Sequence, residues 1–177
     1  MSFKVRYHIW EPGKQAPTIT TENRALAYIE FGTLKNKMPM ARMTYEVIPE
    51  NLTGPEKFLF LVYRTRQAQE VYWSACRQEL DKEILNDRLK VALKLERELD
   101  QRIVDGRFYL QGHPKSQPDE MAYSFFLVVE AWREKSKQYF SYKKKKDADP
   151  NVVKQMRKEI DDYQTNIDNY VNKNIGI

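Results

Sequence analysis

Residues 54–106 read GPEKFLFLVYRTRQAQEVYWSACRQELDKEILNDRLKVALKLERELDQRIVDG, and this stretch decides the fold. After Pro55 it holds neither proline nor glycine until Gly106. Gly54-Pro55-Glu56 is a start signal, because a proline at the first helical position gives up an N–H that has no partner there. About fifty uninterrupted residues would form a helix of roughly 75 Å at 1.5 Å per residue. One seam runs Phe58, Val62, Thr65, Ala68, Tyr72 and Ala75, and another runs Leu85, Leu89, Ala92, Glu96, Leu99 and Ile103. Both step by threes and fours, which places their residues on one helical face. The two seams do not join in one register across Leu80 to Leu85, so a kink or register shift is expected near Asn86 and Asp87. Gly106 reads as the stop, and Gly112 to Pro118 as a loop.

Downstream, the same steps recur twice. Ala122, Phe125, Val129, Trp132, Ser136 and Tyr139 mark a second helix over about 119–145. Its first half, Met121 to Trp132, is apolar nearly all round, the pattern of a deeply buried helix. Asp147-Ala148-Asp149-Pro150 is a turn and a helix start. Val153, Met156, Ile160, Tyr163, Ile167 and Tyr170 mark a third helix over about 150–173. Short connections favour antiparallel neighbours, so residues 51–177 read as a long antiparallel helical bundle or coiled coil.

Upstream, residues 1–50 form a different unit. Phe3, Val5, Tyr7 and Ile9 alternate with Lys4, Arg6, His8 and Trp10, the period of a strand with one buried face. Glu11-Pro12-Gly13 ends it. Thr20 or Thr21 can cap a helix whose first turn holds Glu22 and Asn23, with Ala25, Leu26, Ile29 and Leu34 at helical spacing. Met43 to Ile48 is a second strand, stopped by Pro49. Strand, helix, strand implies a small β-α-β unit, with parallel strands and a right-handed crossover if the strands are neighbours. The fold class expected is mainly α.

Composition narrows the function. The chain has 177 residues and only six glycines, about half the usual ~7%, as long helices require. Its 22 aromatic residues can fill a core, which excludes a chain disordered throughout. Apolar stretches such as Phe125 to Val129 are far short of the roughly 18 residues of a membrane span, and no signal peptide is visible. No secretion through a signal peptide is therefore expected. One cysteine, Cys76, excludes an internal disulfide and a multi-cysteine zinc site. His8, His113 and Cys76 share no metal-ligand spacing. Glu96 and Asp100 lie on one helical face without a Glu-x-x-His partner, so ordinary surface pairing with Lys94, Arg97 and Arg102 is expected. No phosphate-cradling glycine loop occurs. No enzyme, metal or cofactor is therefore expected.

The charge pattern is more pointed. Thirty Lys and Arg oppose 25 Asp and Glu, a net +5. From Arg133 to Lys158 there are ten basic residues: Arg133, Lys135, Lys137, Lys143, Lys144, Lys145, Lys146, Lys154, Arg157 and Lys158. Only Glu134, Asp147 and Asp149 oppose them. Dense positive charge suits nucleic-acid phosphates or an acidic partner, while cations at a helix end also complement the helix dipole. Phe140 and Tyr142 beside the run could stack on bases. Tyr63, Tyr72, Trp73 and Trp10 are candidate protein-interface residues, because a long helix must be covered by the N-terminal unit or by another subunit.

The first fifty residues resemble small strand-helix-strand units of tailed-bacteriophage proteins. The stretches that carry the likeness are Tyr7 to Gly13, Ala16-Pro17-Thr18, Ala25 and Ala27, Pro39, and Tyr45 to Ile48. The later helices resemble, in architecture, the ring-forming connector and packaging proteins of those phages. The resemblance implies a non-enzymatic, homo-oligomeric structural or assembly protein such as a head–tail connector or neck ring protein, located in the virion or the host cytoplasm. The alternative is a sequence-nonspecific nucleic-acid-binding or DNA-packaging protein that uses residues 133–158.

Overall fold

The computed structural model describes residues 3–112 and 120–177, with side chains over 3–106 and 123–177. The chain divides into two compact units, one of residues 1–53 with 172–177, the other of residues 54–171.

The first unit is a three-stranded sheet with one helix. β1 (Phe3–Trp10) is central, between β2 (Ile19–Thr21) and β3 (Arg42–Pro49). Both pairings are antiparallel, with Tyr7 opposite Thr21 on one side and Tyr45 on the other. The parallel β-α-β arrangement is thereby corrected. β2 turns the chain back once before the helix begins, so the helix returns it to an end from which β3 must run opposite to β1. Thr20 and Thr21 belong to β2 and do not cap the helix. α1 (Arg24–Lys37) is capped instead by Asn23, whose Oδ1 accepts the Leu26 N–H at 3.0 Å. Phe3, Tyr7 and Ile9 are buried on one sheet face together with Ala27 of α1.

The second unit has four helices: α2 (Gly54–Arg77), α3 (Lys82–Gly112), α4 (Glu120–Lys143) and α5 (Pro150–Ile175, whose last residues belong to the first unit). The single helix expected over 55–105 is two helices, broken at 78–81 rather than at Asn86-Asp87, where α3 is continuous. The break has a recognisable geometry. Leu80 N donates to Ala75 O at 3.2 Å and Glu79 N to Cys76 O at 3.2 Å, with Glu79 at a φ of 53°. These are the two hydrogen bonds of a Schellman ending, with glutamate where glycine is usual. Gly106 does not stop α3. A Cβ built there would lie 2.7 Å from Phe126 Cε2, so this glycine is a close-approach point between α3 and α4. Apart from Gly112, the last residue of α3, the expected loop lies outside the described residues, as does His113.

Side-chain contacts fix the directions. Glu96 and Asp100 meet Arg133 and Lys137, while Gly106 meets Phe126, so α3 and α4 are antiparallel. Lys135 meets Glu159 and Phe125 stacks on Tyr170, so α4 and α5 are antiparallel. Phe58 meets Phe125 and Arg66 meets Trp132, so α2 and α4 run the same way. The turns α2–α3 and α4–α5 therefore lie at the same end. Phe125, Val129, Trp132, Ser136 and Tyr139 are buried, as the α4 seam requires, and so are Ala92, Leu99 and Ile103 of α3.

A polar network crosses this core. Arg66 binds Asp168 through two nitrogens, at 2.9 and 2.8 Å, and donates to Gln69 at 2.8 Å. Gln69 donates to Glu96 at 2.6 Å. Arg133 binds Asp100 at 2.8 and 3.2 Å and Glu96 at 3.2 Å, and Lys137 reaches Asp100 at 3.0 Å. The guanidinium groups of Arg66 and Arg133 both lie over the buried Trp132 ring, 5.7 and 5.4 Å from its centre. A charge as buried as that of Arg133 persists because it is paired and hydrogen-bonded.

Candidate functional site

Four cations of the basic segment are already committed. Arg133 is 6% exposed and serves the buried network, so it is withdrawn as a nucleic-acid contact. Burial alone would lower its pKa, but the bonds and charges of Asp100 and Glu96 outweigh that and raise it. Lys137 shares Asp100 with it. Lys135 lies 2.6 Å from Glu159; that hydrogen bond raises the lysine pKa and lowers that of the glutamate. Arg157 binds Asp161 at 3.0 Å, an exposed pair one turn apart that adds little to stability. The structure also corrects the expectation for Glu96 and Asp100. Their partners are on α4, not on their own helix.

The remaining cations gather at the α4–α5 turn. α4 ends at Lys143, and Asp149 opens α5 by accepting the Asn151 N–H on Oδ1 at 2.8 Å, with Pro150 as the first helical residue. The Asp149 N–H donates to the Tyr142 hydroxyl at 3.2 Å, which fastens the turn to the last turn of α4. Between the two helices lies an open groove of about 940 Å³, lined by Lys143, Lys145, Lys154, Arg157 and Lys158. Its one carboxylate is Asp161, held by Arg157. Tyr139 and Val153 are among its apolar lining residues.

Apart from Arg157, the cations of this groove are held without being neutralised. Lys143 Nζ lies 5.6 Å from the centre of the Tyr139 ring, and Lys145 Nζ lies 5.4 Å from that of Tyr142. Lys154 and Lys158 have no carboxylate within 4 Å among the described residues. Lys143 complements the negative end of the α4 dipole. Lys154, Arg157 and Lys158 stand near the positive end of α5, where the dipole gives no reason for cations. Lys144 lines a second hollow of about 410 Å³ with Phe140 and Lys137, and Lys146 is exposed in the turn. Tyr142 is engaged by Asp149 and Lys145, and Phe140, though 50% exposed, packs against the Tyr139 ring with centroids 5.2 Å apart, so neither expected stacking ring is without a partner.

The interface candidates also separate. Tyr63 is buried within the helical unit and is withdrawn as an interface residue. Tyr72 is half-buried and packs on Trp73, and its hydrogen bond to Cys76 raises its pKa. Trp73 is exposed. Trp10 lies on the polar face of the sheet, where its Nε1 donates to Thr44 at 2.9 Å and Arg42 stacks 5.0 Å from its ring centre.

Sequence reading missed the division of labour among the ten cations. One signal was available: Glu96 occupies a seam position of α3, and an acid facing a core demands a buried cation from elsewhere. His8 bonds Thr20 at 3.0 Å on the sheet. No group of three or more potential metal ligands occurs among the described residues. No described helix is long and apolar enough to cross a membrane. No protein family, curated protein or solved structure matches the chain.

Proposed function

We propose that this chain is a non-enzymatic assembly component that holds the phosphate backbone of a nucleic acid, without sequence preference, in the groove at the α4–α5 turn. The observation that carries this reading is the groove's lining, in which Lys143, Lys145, Lys154 and Lys158 stand beside a single carboxylate, Asp161, that Arg157 already pairs. A phosphodiester chain is a row of negative charges, and it needs cations at several points rather than one exact geometry. Phe140 is exposed but packs on Tyr139, and Tyr142 is held by Asp149 and Lys145, so base stacking is a minor part of the grip. The further reading as an oligomeric virion component of the connector type rests on the resemblance of the helices, and the outer edge of β3, which no strand among the described residues pairs, supports self-association.

The test is fluorescence anisotropy with labelled single- and double-stranded oligonucleotides over a salt series. About four phosphate contacts give a slope of about −3 to −4 for log affinity against log salt on duplex DNA. Lys154→Ser combined with Lys158→Ser removes two of them and flattens the slope by about two. An affinity indifferent to salt, or unchanged in that variant, would overturn the reading.

A further inference from the structure

The sheet of the first unit has two unlike edges. β2 offers only three residues, Ile19 to Thr21, whereas β3 offers eight, Arg42 to Pro49, and no described strand pairs with its outer side. An edge strand of this length exposes a row of backbone donors and acceptors, which proteins commonly blunt with lysine, proline or a bulge. β3 has no lysine, and its one proline is its last residue.

We infer that β3 pairs with β3 of a second copy of this chain, antiparallel and with Thr44 on the twofold axis, to form one continuous six-stranded sheet. The pairing rests on the reading of this protein as self-assembling and names the surface. The register follows from residues already placed. With Thr44 opposite Thr44, Arg42 faces Glu46 of the other copy, and Glu46 faces Arg42. All of these lie on the polar face shared with Arg6 and His8. On the opposite face Met43 meets Tyr45, and Tyr45 meets Met43. The chain's two flanking prolines, Pro39 and Pro49, stand five residues to either side of Thr44, so this register pairs them with each other outside the ladder. A shift that puts Glu46 on the axis would set like charges opposite, which destabilises a strand pair.

The side chains are left ready for these contacts. Arg42 stacks on Trp10 but has no carboxylate within 4 Å among the described residues. Glu46 accepts one hydrogen bond from Arg6, on Oε1 at 3.0 Å, while His8 Nε2 comes no nearer than 3.6 Å, and the Glu46 side chain stays 51% exposed. Tyr45 remains 44% exposed although Tyr7, its partner on β1, is buried. A two-stranded contact made twice over by symmetry uses the same patch on both partners, as a twofold dimer requires.

The test uses the full chain, freed of nucleic acid, in sedimentation velocity. The natural protein is expected to run as a dimer or a multiple of one. Arg42→Glu turns both symmetric contacts repulsive and should weaken dimerisation about tenfold or more. Arg42→Glu with Glu46→Arg restores opposite charges and should restore the dimer. Independently, Thr44→Cys in a Cys76→Ser background should cross-link between chains on mild oxidation, because two residues on the axis of an antiparallel pair bring their Cα atoms within about 4.5–5.5 Å, inside disulfide range. A monomer at about 100 µM, the range of weak association, would overturn both the β3 pairing and self-assembly. An oligomer whose size ignores Arg42→Glu, with no Thr44→Cys cross-link, would overturn the β3 pairing and leave self-assembly through another surface standing.

Discussion

Asp100 carries the sharpest residue-level consequence. Burial would raise its pKa, but the hydrogen bonds and charges of Arg133 and Lys137 outweigh it and hold the carboxyl below the ordinary aspartate value of 3.8. A depressed carboxyl stabilises the fold at pH above the unfolded value, and that contribution disappears as pH falls through the folded value. Asp100→Asn should therefore cost about 1–3 kcal/mol near neutral pH, and urea titrations should show the gap from the natural protein closing below about pH 4. The penalty comes from Arg133, left buried with Glu96 as its remaining acid. Glu79 is the opposite case. It holds a left-handed conformation at the end of α2 that glycine adopts without strain. Glu79→Gly should raise stability by up to about 1 kcal/mol, readable as a higher melting temperature.

Among the elements, the α3–α4 contact hangs on a missing side chain. Alanine is a better helix former than glycine by about 0.5–1 kcal/mol, yet Gly106→Ala should destabilise by about 1–3 kcal/mol, because its methyl would meet the Phe126 ring. Gly106→Ala with Phe126→Leu should recover part of the loss in the same melting experiment, since the smaller side chain vacates the contact. The helices were legible in the sequence because their seams are periodic. Leu99, Val129, Trp132 and Ile167, all seam positions, are fully or almost fully buried. The break at Glu79 was not legible, because its hydrogen bonds close without the glycine that usually announces them. Gly106 misled for the converse reason: the glycine is there for a tertiary contact, which no local rule encodes. β2 was too short to show an alternation, and without it the sheet's direction reads wrongly. In the basic segment, density of charge was visible and destination was not. Arg133 and Lys154 look alike in a charge count, and only packing sends one to the core and the other to the groove.

For the whole molecule, the separation of the two units gives the sheet edge and the basic groove independent roles. Lys154→Ser with Lys158→Ser should leave the sedimentation coefficient unchanged in nucleic-acid-free protein, since neither residue lies in the first unit. The tail of α5 links the units in a different sense. Ile175 is 4% exposed and belongs with residues 172–177 to the first unit, whose other members are residues 1–53. Removing residues 172–177 should cost the first unit about 1.5–3 kcal/mol, the burial of one large aliphatic side chain, measured as the loss of its amide hydrogen-exchange protection. The order of synthesis then matters. The strands of the first unit are made before any helix of the second, but residues 172–177 of that same unit follow only after α2, α3, α4 and most of α5. Until then the first unit lacks its last segment, and the nascent chain depends on the later helices to deliver what its first fifty residues began.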